Sequence, residues 1–331
     1  MNRIKILSST SSKDTIISNT YILIDKAYSL NINPSLINVE KNTLNSIYYS
    51  INDVIPINSY KILSDIGISY PTADITSLQN LSGKIYITDP RLQYIYSISD
   101  ISESTANIFE SLSSGISIPE YITYSVANNS LYLYDLNKGL LGISSNATNS
   151  PIISPINGAK IAYIQSYAGN IYLLDSSNGV LYEANTSNLS YTKILSSQLL
   201  KGARSFAVDG NIFVINDNGN IIRFYANQQT PFGVSNSSAM EYPLKNLSFI
   251  YDNQYLNDIY VLDPEHKRIV VLQKPQAGAL NTVDYKFIKQ YVYSGVNGRN
   301  IFSHMSAMAL SSNGQYIYLL SGSKIIKIST S

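Results

Sequence analysis

The chain has 331 residues, a formal net charge of +1 and no cysteine. The near-neutral charge gives no electrostatic reason to expect nucleic acid or an anionic membrane as a partner, and the lack of cysteine excludes disulfides, thiolate metal sites and thiol catalysis. Only 14% of the residues are charged and 28 are tyrosine, so the polar surface must be built from Ser, Asn, Thr, Gln and Tyr.

The N-terminal region is predicted to supply one edge strand and one repeat. RIKILSS (3–9) resembles YKILSD (60–65) and YTKILSS (191–197), which both read as the last strand of a repeat. NTYILIDKAYSLNI (19–32) is interpreted as a drifted repeat copy with its turn at Asp25, followed by a long insertion at 33–59. We recognise no helical periodicity in the chain.

From residue 83 onward, one phrase recurs: an apolar strand ending in Asp or a related residue, a turn, and a second apolar strand. Asp, Asn and Gly at the turn suit a hairpin, since they bond their own backbone or accept positive φ. The recurring Asp is therefore interpreted as a hairpin former. The copies are GKIYITDPRLQYIYSI (83–98), NSLYLYDLNKGLLGI (129–143), GNIYLLDSSNGVLYEA (169–184), GNIFVINDNGNIIRFY (210–225), NDIYVLDPEHKRIVVL (257–272) and GQYIYLLSGSKIIKI (314–328).

A strand with smaller residues precedes each hairpin, as in RSFAVD (204–209), and a further strand follows it. The order A–B–C–D is an antiparallel meander of about 45 residues, which is typical of a propeller blade. The sequence predicts an all-β, seven-bladed β-propeller of four-stranded antiparallel blades over residues 1–331, closed by the N-terminal strand completing the last blade. An eight-bladed ring is the alternative, because the interval between the turns at Asp25 and Asp89 is long.

The phrases GARSFAVDGNIFVINDNGNIIRFY (202–225) and NDIYVLDPEHKRIVVLQK (257–274) resemble NHL- and YVTN-type bacterial propellers. They are similar also to propeller regions of large envelope proteins from reduced-genome, low-GC bacteria. The resemblance covers nearly the whole chain, but it rests on strand and turn positions. It therefore implies a fold and leaves the function open.

Ligand-binding residues are expected on the face formed by the D–A and B–C loops, where propellers usually bind ligands around the central channel. The alternative for each is a solvated side chain or pairing between blades. The aromatic and charged candidates on the D–A connections are Tyr70, Arg204, Tyr293, Arg299 and His304.

A metal site, if there is one, should use oxygen ligands. Two histidines and no cysteine exclude the usual three-ligand zinc sites, whereas a hard cation could bind carboxylates near the channel, as in lactonase- and lyase-type propellers. Asp74, Asp209 and Asp252 fall on or beside inner strands and are the candidates. We expect no organic cofactor.

The opposite face offers a rival site on long, weakly charged loops. These are residues 33–59, with Tyr48 and Tyr49, and the segments 226–240 and 273–284.

The function expected from these features is non-enzymatic. A binding propeller would present a loop-lined face to a protein, peptide or glycan at a cell or virion surface, as a monomeric domain alone or within a larger protein. The alternative is a carboxylate- or metal-dependent enzyme of lactonase, lyase or glycosidase type, and a spacer role is a third. The few charges favour an extracytoplasmic location; the absence of a signal peptide at MNRIKILSSTSSKD leaves a cytoplasmic one open.

Overall fold

Two helices open the part of the chain that the structure describes. The computed structural model describes residues 10–81, 83–101, 106–111, 115–143, 151–252, 257–275, 284–293 and 299–330. Helices α1 (Thr10–Ser29) and α2 (Pro34–Ile51) pack against each other as a helical hairpin around Ile17, Ile24, Ile37 and Leu44. Neither these nor the shorter described helices are long and apolar enough to cross a membrane.

The helical hairpin replaces the predicted first blade. Residues 19–32, including the supposed turn at Asp25, lie mostly in α1, and most of the 33–59 insertion is α2. The start of α2 has ordinary helix signals: the backbone nitrogen of Leu36 donates to Asn33 Oδ1 at 3.3 Å, and Pro34 lies in the first turn. The prediction was wrong because Ile, Tyr and Thr, which are common in strands, here recur at helical spacing.

The rest of the described chain forms a β-propeller. It is entered through β1 (Val54–Pro56), β2 (Lys61–Asp65) and the short α3 (Ile66–Ser69). Blade 1 contains β3 (Ser77–Leu81), β4 (Lys84–Asp89), β5 (Tyr94–Ser99) and β6 (Asn107–Glu110). Blade 2 contains β7 (Pro119–Ser125), β8 (Ser130–Asp135), β9 (Gly139–Ile143) and β10 (Pro151–Ile153). Blade 3 contains β11 (Ile161–Tyr167), β12 (Asn170–Asp175), β13 (Val180–Asn185) and β14 (Ser190–Ser196).

The second half of the ring carries more additions. A 3-10 turn at Gln198–Leu200 precedes blade 4, which contains β15 (Ser205–Val208), β16 (Ile212–Ile215), β17 (Ile221–Tyr225) and β18 (Gln228–Thr230). Residues 231–248, here called the excursion, hold β19 (Gly233–Ser235) and a 3-10 turn at Ser237–Ala239. Blade 5 contains β20 (Phe249–Asp252), β21 (Asp258–Asp263), β22 (Arg268–Gln273) and β23 (Asp284–Val292). After α4 (Arg299–Phe302), blade 6 contains β24 (Met305–Leu310), β25 (Tyr316–Ser321) and β26 (Lys324–Ser329).

The described strands form six blades, not seven or eight. Each innermost strand A contacts the A strands of both neighbouring blades, and contact between β24 and β3 closes the ring. Blades 6 and 1 are also joined through Asp100, which accepts bonds from Tyr318 Oη at 2.6 Å and Lys327 Nζ at 2.8 Å. The repeat copies from residue 83 onward are confirmed as hairpins, so the miscount comes from the N-terminal copy alone.

Strand β2 supplies the outer strand of blade 6, since it pairs antiparallel with β26. At this junction Asp65 contacts Lys324 Nζ at 2.6 Å and accepts a bond from Ser323 Oγ at 2.6 Å. Burial alone would raise the pKa of Asp65, but these contacts hold it below its usual range. The predicted closing segment, 3–9, lies outside the described residues. Closure by the N-terminal strand was the wrong prediction, because 3–9 and β2 share the same Lys-Ile-Leu sequence.

Blade 5 anchors the helical hairpin and the excursion. Its outer strand, β23, pairs in parallel with both β1 and β19. The buried Arg268 donates to Asp263 Oδ2 at 2.7 Å, to Gln290 Oε1 at 2.9 Å and to the carbonyl of Tyr242 at 2.8 Å. Gln290 in turn donates to the carbonyl of Asn52 at 2.9 Å. One buried guanidinium therefore connects the two additions to the ring.

Candidate functional site

The six-bladed ring has two faces, and the predicted site residues divide between them. In an antiparallel meander, the D–A and B–C loops lie on one face (the D–A face), and the A–B and C–D loops on the other (the A–B face). Asp209 and Asp252 lie on the A–B face, where β15 and β20 end. The side chain of Arg299, which lies in α4, is outside the described residues. The remaining candidates lie on D–A connections: Tyr70, Asp74, Arg204, Tyr293 and His304.

Tyr70 belongs to an aromatic cluster on blade 1. Its ring centroid lies 5.2 Å from that of Tyr96 and 6.0 Å from that of Tyr94. Tyr96 is buried and donates to Asp89 Oδ2 at 3.0 Å, whereas Tyr70 and Tyr94 are half-buried. The buried ring thus fixes the two that reach the surface.

Tyr293 belongs to a second aromatic cluster, between blades 5 and 6. Its ring stacks on that of Phe302 at 4.5 Å, and Tyr60 meets both rings edge-on. Phe302 is fully buried, while Tyr60 and Tyr293 are half-buried. His304 follows this cluster and is exposed. The structure therefore places Tyr70 and Tyr293 in two separate aromatic clusters.

Arg204 has a structural contact. Its Nη2 donates to the carbonyl of Asp217 at 2.7 Å, which ties the D–A connection to the B–C turn of blade 4. The side chain is nevertheless exposed at the surface.

The central channel is filled by aromatic side chains. The ring of Tyr163 lies within 6.0 Å of the rings of Tyr121, Phe206 and Phe249, which come from the A strands of blades 2, 4 and 5. Tyr163 also hydrogen-bonds Gln79 of blade 1, and burial raises its pKa. Residues of five blades can meet only across the ring axis, so the channel at this level holds protein side chains.

The three aspartates considered as metal ligands do not all lie on one face of the ring. Asp74 lies on the D–A face, while Asp209 and Asp252 share the ammonium group of Lys274, which approaches Asp209 Oδ2 to 3.4 Å and also contacts Asp252 Oδ1. Burial raises the pKa of Asp252 to about 7. The neighbouring Asp209 also raises this pKa, whereas the ammonium group of Lys274 lowers it. Asp209 and Asp252 therefore lie next to each other and share one lysine. No cluster of three metal-ligating side chains occurs within the described ranges.

Glu120 is a site residue that sequence reasoning missed. It lies on β7 near the D–A face, and its Oε2 is buried without a hydrogen-bond partner. Burial and the carboxylate of Asp135 raise its pKa to about 7, against the opposing charge of Lys160. Asp74 and Glu120 both act on Tyr121, whose pKa is raised to about 12, mainly by burial. The available signal was a glutamate inside an otherwise uncharged inner strand, PEYITYS (119–125).

Comparison with solved structures confirms the propeller fold. A gluconolactonase from Xanthomonas campestris matches with a TM-score of 0.57 at 7% identity, covering 82% of this chain and 89% of that one. A catalytically inactive virginiamycin B lyase from Staphylococcus aureus with quinupristin matches with a TM-score of 0.49 at 15% identity, over 78% of this chain and 81% of that one. At these identities the likeness concerns the fold alone. No protein-family model and no curated protein matches the sequence.

Proposed function

We propose that this chain is a non-enzymatic binding propeller of NHL/YVTN type, which receives a protein, peptide or glycan on its D–A face. One observation carries the proposal: two aromatic platforms, Tyr70–Tyr94–Tyr96 and Tyr60–Tyr293–Phe302, each present half-buried rings above a buried one. Such rings offer a large apolar contact area and a hydroxyl at little entropic cost, which suits peptides and sugars alike.

The chemistry of the ring supports binding rather than catalysis at the channel. The channel is filled around Tyr163, and Asp209 and Asp252 are paired with Lys274 on the other face. We further propose an extracytoplasmic location at a cell or virion surface, because only 14% of the residues are charged. Labelling of the protein on intact cells by an impermeant reagent tests this, and labelling only after lysis would contradict it.

The binding proposal is tested with glycan and peptide arrays. Tyr70→Ser and Tyr293→Ser should each weaken a specific signal about tenfold or more, the usual loss for an aromatic anchor. Tyr124→Ser is the matched control, since Tyr124 lies on the A–B face and bonds Asn129 Oδ1 at 2.8 Å. Silence on both arrays, or a signal lost only in Tyr124→Ser, would overturn the proposal.

A second candidate function, a carboxylate-dependent enzyme of lactonase, lyase or glycosidase type, is favoured by Glu120. A buried carboxyl with an unpartnered oxygen and a pKa of about 7 is suited to general acid or base catalysis. Turnover of lactones or aryl glycosides, with an inflection near pH 7 that Glu120→Gln removes, would support it. No turnover of either class would exclude these reactions.

A further inference from the structure

A second site is formed where the excursion crosses the rim of the ring. A cavity of about 490 Å³ lies between the excursion and Asn220 of the blade 4 turn. Phe232, Val234 and Met240 supply much of its apolar lining, and Ser237 is a neutral polar neighbour. The volume lies within the roughly 300–1,000 Å³ of small-molecule sites.

The walls of this cavity are held by contacts with blade 5. Phe232 stacks on the buried Tyr285 at 5.0 Å between centroids, and β19 pairs with β23 along the same edge. Asn236 adds a bond from Nδ2 to the carbonyl of Phe287 at 3.3 Å. The cavity is therefore preformed, which reduces the entropy lost when a ligand binds.

A carboxylate lies at the wall of the cavity. Of the described residues that line it, Glu241 alone carries a charge. Its Oε2 accepts a hydrogen bond from Tyr48 of α2, and a carboxylate can accept several more. The pKa of Tyr21 is raised to about 12, mainly by burial, and the charges of Tyr49 and Glu241 add to this increase.

We propose that this cavity binds a small amphiphilic amine. The ammonium group would bond the Glu241 carboxylate, and the apolar body would pack against Phe232, Val234 and Met240. An alcohol of the same shape could donate only a neutral hydrogen bond, and a carboxylate would be repelled. The site is separate from the D–A-face platforms, so either proposal can fail without the other.

The experiment titrates three probes into the full chain: phenethylamine, phenethyl alcohol and 3-phenylpropionate, which share a phenethyl group and differ in the polar group attached to it. The readout is methionine methyl NMR, because the chain has only four methionines. Met240 lines the cavity, whereas Met305 and Met308 are buried in blade 6 and serve as internal references. We expect a saturable shift of Met240 alone, with the amine bound about tenfold more tightly than the alcohol, as expected for a charge-assisted hydrogen bond.

Glu241→Gln should abolish the preference for the amine while keeping an acceptor for Tyr48, and Val234→Trp should remove binding by filling the cavity. Glu183→Gln, which changes a glutamate of blade 3 that accepts a bond from Asn170, should leave binding unchanged. Equal affinity for amine and alcohol, retention of the preference in Glu241→Gln, or no shift of Met240 with any of the probes would overturn the proposal.

Discussion

The carboxylate of Asp175 is fully buried, and it shows why the repeated phrase keeps an aspartate. It accepts bonds from the backbone nitrogens of Ser177 and Asn178 within its own turn, and from that of Lys160, just before the inner strand of the same blade. Burial alone would raise the pKa of Asp175, but the hydrogen bonds hold it below its usual range. One side chain therefore closes the B–C turn and fixes the adjoining D–A connection. The interpretation of this aspartate as a hairpin former agrees with these contacts.

The glycine at the end of the B–C turn is required by close packing in blades 2 and 3. A Cβ on Gly139 would lie 2.2 Å from the carbonyl oxygen of Ile153, and its φ is +83°. A Cβ on Gly179 would lie 2.4 Å from that of Ser197. At both positions the turn contacts the backbone at the end of strand D, so only glycine fits.

Asp252→Asn should change how stability depends on pH. Burial raises the pKa of Asp252 to about 7, whereas an unfolded aspartate titrates near about 4. Between these values the folded protein keeps a proton that the unfolded chain releases, so this group lowers the free energy of unfolding as pH rises. Relative to the variant, the free energy of unfolding of the wild type should therefore fall by roughly 1–3 kcal/mol between pH 4 and 7. Urea unfolding across this range measures the difference.

The control for this prediction is Asp217→Asn, at an exposed turn aspartate. Its stability should run parallel to the wild type at every pH. The same parallel behaviour in Asp252→Asn would contradict the assignment of a raised pKa to Asp252.

At the scale of elements, the two helices depend on the ring for their position. Strand β1 follows α2 directly and pairs with the end of β23, where the backbone nitrogen of Ile57 donates to the carbonyl of Val292 at 2.8 Å. Beside it, Gln290 bonds both Arg268 and the carbonyl of Asn52. The buried side chain of Gln290 thus holds the helical hairpin by a bond to its backbone, as the turn aspartates hold the turns of the blades.

Gln290→Ala should loosen this attachment. The change leaves the carbonyl of Asn52 and one N–H of Arg268 without their partner, a cost of about 1–3 kcal/mol. We expect the amide of Ile57 to exchange with deuterium about tenfold faster or more, while amides of blade 3 keep their rates. Gln229→Ala, at an exposed residue of β18, is the control. Equal protection of Ile57 in both variants would show that Gln290 does not hold the hairpin.

At the scale of the whole molecule, closure of the ring depends on a strand far away in sequence. Asp65 and Ser323, which bond each other at this junction, are 258 positions apart. β2 covers the edge of β26 that would otherwise be open. Leu63 within β2 and Ile66 just after it are almost fully buried. An uncovered edge invites association with other chains.

Removal of the N-terminal region should have two distinct stages. A chain lacking residues 1–51 keeps β2 and should remain a folded propeller, with the association state of the full chain and a modest loss of stability. A chain lacking 1–65 also loses β2 with the buried Leu63, so its melting midpoint should fall by a further amount of about 10 °C or more, with association through β26. Circular dichroism and light scattering measure the two effects. Identical melting and mass for both chains would show that β2 does not close the ring.

Much of the fold was predictable, and less of the site. The hairpins from Asp89 to Ser321 were identified because alternation and turn chemistry act between close neighbours in the chain. The first helix was missed although Ile17 and Ile24 have helical spacing, because β-branched residues fit both structures. Glu241 carried no signal at all, since its importance comes from its meeting with Tyr48 of α2.

The sequence by itself determined that the chain would form four-stranded β-blades with tight Asp- and Gly-containing turns, because those features need only local contacts. Only the tertiary structure decided that the described strands form six blades, that Lys61–Asp65 closes the ring, and that Lys274 contacts both Asp209 and Asp252. Each of these depends on contacts between residues distant in the chain, which no local pattern of residues specifies.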